Sequence, residues 1–255
     1  WGRVVPVSYA VTQLRRAFRL ARKKIARARL YTTALGLYEA HLNGTRVGTD
    51  QLAPGWTDYR TRVQYQTYDV TDLLRPGANA IGAHLAPGWY AGNVGMFGPG
   101  QYGPHPALLA QLEVEYADGT RERVTSGTTW RAAAGPIVAA DLLGGETYDA
   151  RKETPGWTSP GFDDRGWLPV RGEGDIGPDL IVAQSDGPVR VERELTPQAV
   201  TRPRPGSYVR AGRRRSTGSR WPGRCAAGAA GRGRRNAAAS EPTPGRIWRT
   251  LQCST

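Results

Sequence analysis

The chain of 255 residues is poor in the side chains that carry most enzyme chemistry. It has three histidines, His41, His84 and His105. No two of them stand four residues apart, so the paired-imidazole spacing of a helical zinc site is absent. Cysteine is confined to Cys225 and Cys253, near the end. The rest of the chain therefore has neither a disulfide framework nor a cysteine-rich metal site, which fits a reducing compartment or indifference to redox state. No apolar run approaches the roughly 18 residues of a helical membrane span. The opening "WGRVVPVSYAVTQL" has no initiator methionine and no charged-then-apolar leader. It reads as a fragment or a misplaced start, with a cytoplasmic location as the expectation.

Acidic residues are also scarce, and unevenly so. The net charge is +13, which on its face suggests nucleic acid or an anionic surface as partner. From Gly206 onward there are eleven arginines, no lysine and one acid, Glu241, which leaves only about +3 for residues 1–205. The segment "RAGRRRSTGSRWPGRCAAGAAGRGRRN" has no hydrophobic period and too little apolar surface to offset the entropy of ordering. Three readings stay open for it: an RNA-binding arm, a natural flexible tail, or a stretch of GC-rich coding DNA read out of frame. The division expected is an irregular segment at 1–13, a sandwich at 14–187, a linker or the start of a next domain at 188–205, and a disordered, frameshifted tail at 206–255.

What is present is a period of two. Leu112, Val114 and Tyr116 alternate with Gln111, Glu113 and Glu115. Ile81, Ala83 and Leu85 alternate with Gly82 and His84, and Val63, Tyr65 and Thr67 alternate with glutamines. Alternation buries one set and solvates the other, so Val63 and Tyr65 are expected to face the core. Asn43-Gly44 and Asp118-Gly119 each offer two residues for the positive φ angles of a tight hairpin. Short strands separated by Gly/Pro turns indicate a sandwich or barrel. "LRRAFRLARKKIARA" fits two descriptions. Leu14, Phe18, Ala21 and Ile25 share a helical face, but Phe18 and Leu20 also alternate with arginines as on a charged edge strand, the form the following β pattern favours.

A set of segments appears in order: "ARLYTTALGLYEAHLNGTRVG", "LAPGWTDYRTRVQYQTYDVTDLL", "RPGANAIGAHLAPGWYAG", "PALLAQLEVEYADGT", "GGETYDAR" and "GFDDRGW". Together they resemble the N-terminal β-sandwich region of bacterial α-L-rhamnosidases, glycoside hydrolase family 78, over residues 14–190. The resemblance implies an all-β, jelly-roll, galactose-binding-like sandwich. It implies a non-catalytic part of an enzyme that removes terminal α-L-rhamnose from glycosides, partnered by that enzyme's catalytic domain and by rhamnose-containing glycans. The family's (α/α)6 catalytic barrel lies several hundred residues further on. Inverting glycosidases need two carboxylic groups about 6.5 to 9.5 Å apart. Asp163 and Asp164 of "GFDDRGW" instead match a turn-capping element at the closing strand of such sandwiches.

Some relatives of this sandwich are rhamnose-binding modules, family 67, that hold calcium near loops at one end. The resemblance makes Asn93, in "GWYAGNVGMFG", the candidate ligand side chain for sugar and calcium. Glu146 and Asp149 of "GGETYDAR" are further calcium candidates, since the ion takes several oxygen ligands. Asp149 can equally pair with Arg151. Binding members place an acid directly before the asparagine, where this chain has Gly92. Trp56, Tyr59, Trp89 and Tyr90 flank two "APGW" loop entries. Such aromatics either stack on a sugar ring or plug the end of the sandwich. The competing class is a basic nucleic-acid-binding protein led by the Arg-rich segments.

Overall fold

The computed structural model describes residues 10–173, 180–194, 199–204, 207–211 and 250–252. The first strands are β1 (Thr12–Leu20), β2 (Ile25–Leu35), β3 (Leu37–Leu42), β4 (Thr45–Arg46), β5 (Arg62–Asp69) and β6 (Gly77–Ala86). A one-turn helix α1 (Gly88–Ala91) precedes β7 (Ala107–Tyr116), β8 (Arg121–Thr125), β9 (Arg131–Ala134), β10 (Ile137–Asp141) and β11 (Gly145–Tyr148). Then come β12 (Leu168–Pro169), β13 (Arg171–Glu173), β14 (Leu180–Ala183), β15 (Ala199–Arg204), β16 (Ser207–Ala211) and β17 (Thr250–Gln252).

Two large sheets and the small antiparallel pair β10-β11 form the main unit, which comprises residues 1–190 and 247–255. One large sheet runs β12-β9-β1-β6-β3-β4 and the other β13-β17-β7-β2-β5-β14, with β8 also on β7. All these pairings are antiparallel except β14 on β5. A second unit spans residues 191–246, and its described part is the antiparallel pair β15-β16. The expected tail at 206–255 lies outside the described residues, apart from β16 and β17.

The core forms where the alternating faces meet. Leu14, Ala40, Leu42, Ile81, Ala83 and Leu85 of the first sheet pack against Leu30, Leu108, Ala110, Leu112 and Val114 of the second. Each fully buried leucine contributes about 1.5–3 kcal/mol relative to exposure. Trp130 closes one edge, 1 % exposed, with its Nε1–H donated to the Thr125 carbonyl at 3.1 Å. The stretch 14–25 is not helical: it is strand β1 to Leu20, a bend at 21–24, and the start of β2 at Ile25.

Strand β5 departs from expectation. Its pairing sets Thr32 opposite Gln66 and Leu30 opposite Tyr68, so the Gln66 face looks into the main core. Val63 is instead buried on the other side of the sheet with Leu35, Tyr59 and Ala107. Tyr65 is half-buried there, 6.2 Å from the Tyr31 ring. A glutamine is tolerated inward because its amide is fully engaged. Gln66 Oε1 accepts from the Tyr38 hydroxyl at 2.7 Å, and Nε2 donates to the Pro54 carbonyl at 3.3 Å and to Gln184 Oε1 at 3.2 Å.

The two hairpins differ as well. Asn43 (φ 50°) and Gly44 (φ 89°) form the two-residue turn between β3 and β4. At Asp118-Gly119 only Gly119 takes a positive φ, 80°. The loop there is wider, closed by the Tyr116 N–H to the Thr120 carbonyl at 2.9 Å and by Asp118 Oδ1 accepting from Thr120.

Candidate aromatic binding surface

The "APGW" entries do what their composition demands. Gly55 (φ 92°) and Gly88 (φ 53°) both sit in the left-handed region. A Cβ on Gly88 would come within 2.6 Å of Leu37 Cγ. The two turns deliver Trp56 and Trp89 to one place, where their rings stack with centroids 6.1 Å apart and planes 7° from parallel. Trp89 packs against the second cluster, while Trp56 remains 54 % exposed. The Trp56 Nε1–H is donated to the Tyr102 hydroxyl at 3.3 Å. Arg60 lies over the Tyr102 ring at 5.1 Å. The outer Trp56 face is thus both open and braced.

Tyr59 and Tyr90 are wall rather than platform. Tyr59 is 4 % exposed, donates its hydroxyl to the Gly55 carbonyl at 2.9 Å, and meets the Tyr90 and Tyr102 rings edge-on. Burial, helped by Tyr102, pushes its phenol pKa far up. Burial likewise raises Tyr90, whose ring packs where a Cβ on Gly103 would clash.

Asn93 is tied into its own loop. Its backbone N–H donates to Asp141 Oδ2 at 2.9 Å, its side chain also bonds Asp141, and its backbone bridges Pro99. The remaining Asp141 oxygen accepts the N–H groups of Leu143 at 2.9 Å and Gly144 at 3.0 Å. Burial raises the Asp141 pKa, but these donors outweigh it and hold the carboxyl below its ordinary value. Asp141 also explains Gly92. A Cβ there would lie 2.4 Å from the Gly88 carbonyl oxygen and 3.0 Å from Asp141 Oδ2. An acid at position 92 would collide and face a second carboxylate. Sequence reasoning missed Asp141, although Asp-Leu-Leu-Gly-Gly is a legible Asx-turn signal.

As arranged, these residues do not fit a calcium shell. Both Asp141 oxygens are occupied by amide N–H groups. Asp149 takes a bidentate contact from Arg151, at 2.8 and 2.9 Å, and Glu146 lies exposed on β11. Among the described residues no three His, Cys, Asp or Glu side chains are grouped to hold a metal.

The acids of "GFDDRGW" are likewise engaged. Asp164 pairs with Nη1 of Arg15, a fully buried side chain whose Nε–H donates to the Trp157 carbonyl at 2.7 Å. Asp163 is bound by Arg165 at 2.6 Å, which brings its pKa down to about 2. Part of the basic run at 15–29 is also engaged: Arg16 donates to the Thr125 carbonyl, Lys23 pairs with Asp118 and Arg27 with Glu115.

Two facing, mostly antiparallel sheets with one braced aromatic surface define a β-sandwich domain. The α-L-rhamnosidase N-terminal domain model matches residues 23–193, and the chain belongs to that family. It is 74 % identical over 209 residues to an α-L-rhamnosidase of Streptomyces avermitilis, covering 82 % of this chain and 20 % of the relative. The crystal structure of S. avermitilis α-L-rhamnosidase complexed with L-rhamnose superposes with a TM-score of 0.78 over 82 % of this chain and 20 % of that one. Native α-L-rhamnosidase from Aspergillus terreus, 39 % identical, gives 0.73 over 77 % and 23 %. The chain spans about a fifth of the length of the curated relatives it matches. Nothing in the fold or in these relatives supports the nucleic-acid reading.

Proposed function

We propose that the chain is the accessory sandwich of an enzyme that hydrolyses terminal α-L-rhamnose from glycosides, and that it binds rhamnose without cleaving it. The observation that carries the reading is Trp56: an indole face left open to solvent while its other face is stacked and its N–H is bonded. A flat, immobilised aromatic stacks on the apolar face of a pyranose at little entropic cost. One ring face and a few hydrogen bonds give weak affinity, roughly 10 μM to 1 mM. Catalysis in the longer protein then belongs to a barrel domain against which the sandwich docks. Asp163 and Asp164, each paired with an arginine, have no freedom to act as acid and base. The test is Trp56→Ala assayed by rhamnose titration: binding is lost while the thermal midpoint is unchanged. Rhamnose affinity that survives Trp56→Ala would remove this surface from the account.

A further inference from the structure

Trp56, 54 % exposed, lines a cleft of about 170 Å3 between the 50–56 loop and the segment that follows β14. Its walls include Asp50, Leu52, Trp56, Gln64, Gln184 and Asp186. We infer that this cleft, rather than the Asn93 loop, receives the sugar, and that it takes one neutral pyranose with vicinal hydroxyls and an apolar edge, such as a 6-deoxyhexose. The inference rests on the rhamnose-binding reading above and gives it a place.

Four features carry it. The cleft is smaller than the 300 Å3 or more of ordinary drug-sized pockets, so it fits a single small ring. Its apolar wall is Trp56 with Leu52, the latter 42 % exposed. Its polar wall holds groups with hydrogen-bonding capacity to spare. The Gln64 amide and the Asp186 carboxylate have no partner among the described residues. Gln184 uses Oε1 to accept from Gln66 at 3.2 Å, which leaves its NH2 donors for a ligand. Amides and a carboxylate lining one cleft suit vicinal hydroxyls, each a donor and an acceptor. Asp50 is already bonded by the Tyr68 hydroxyl at 3.1 Å and lies 3.5 Å from Arg190, so it fixes the floor. With Asp50 facing Arg190, the Asp186 carboxylate is the charge that disfavours an acidic sugar.

The experiment is an NMR titration of the full chain with L-rhamnose, following the Trp56 indole N–H and the side-chain amides of Gln64, Gln184 and Asn93. The indole resonance is assigned by its loss in Trp56→Phe. The expected result is that Trp56, Gln64 and Gln184 shift along one common isotherm while Asn93 does not. Gln64→Ala and Asp186→Asn should each weaken binding roughly tenfold, one hydrogen bond's worth, with the spectrum otherwise native. Shifts confined to Asn93 and the 94–98 loop would overturn the cleft and leave the rhamnose-binding reading standing. No shift anywhere at saturating rhamnose would overturn both.

Discussion

At the residue scale, the side chains that look most functional in the sequence are largely structural. Arg15 sits in a run that reads as a basic stripe, yet it is fully buried between Asp164, the Trp157 carbonyl and the Phe162 ring. Removing it leaves Asp164 and the Trp157 and Ser159 carbonyls without their donor. Arg15→Met is expected to cost about 3 kcal/mol or more in urea unfolding. Asp163→Asn, which breaks an exposed pair, should leave the midpoint where it is. His84 offers a second test. Burial, reinforced by His41 and only partly opposed by Glu39, lowers its pKa from the ordinary 6.5 to about 4. Between those values the unfolded chain binds a proton that the folded one excludes. Stability is therefore full above about pH 6.5 and falls as the pH drops toward 4, by up to about 3 kcal/mol. His84→Gln should flatten that part of a pH-dependent unfolding series. An unchanged slope in the variant would show that another group sets it.

At the element scale, the motifs that carry the family resemblance turn out to be joints. Asn43 of "LNG" donates to the Leu73 carbonyl and to Asn79 Oδ1, both at 2.8 Å, and accepts from the Ala80 N–H at 2.9 Å. Asn79 of "RPGAN" in turn holds the Arg75 and Gly77 backbone. Asp69 and Thr71 of "DVTDLL" bond each other, and Thr71 receives the Ala28 N–H. Strands β6 and β7 were legible because their apolar sets face a single core. Strand β5 was not, because its inward glutamine is satisfied by Tyr38, Pro54 and Gln184, partners distant in sequence. The local turn at Asp141 was legible, but its bond to Asn93 was not, because Asn93 lies on another loop. That Trp56 and Trp89 enter from two like turns was legible in the sequence; that their rings stack on each other was not. One further joint can be broken selectively. A Cβ on Gly82 would meet Trp157 at 2.6 Å. Gly82→Ala should lift the 150–167 loop from the first sheet and speed tryptic cleavage at Arg165, with β-sheet circular dichroism retained. Unaltered cleavage would mean the loop yields locally.

At the scale of the whole molecule, the chain is a family member that spans about a fifth of its relatives' length. On the reading proposed above, the open face of Trp56 holds a sugar, and Asp163 and Asp164, each paired with an arginine, take no part in cleaving it. The most direct test is saturation-transfer NMR of the chain with an aryl α-L-rhamnoside, recorded at once and again after a day. The predicted result is transfer to the rhamnose ring protons, strongest at the edge that meets Trp56, with the glycoside intact throughout. Release of the free aryl alcohol, or the absence of any transfer, would contradict it.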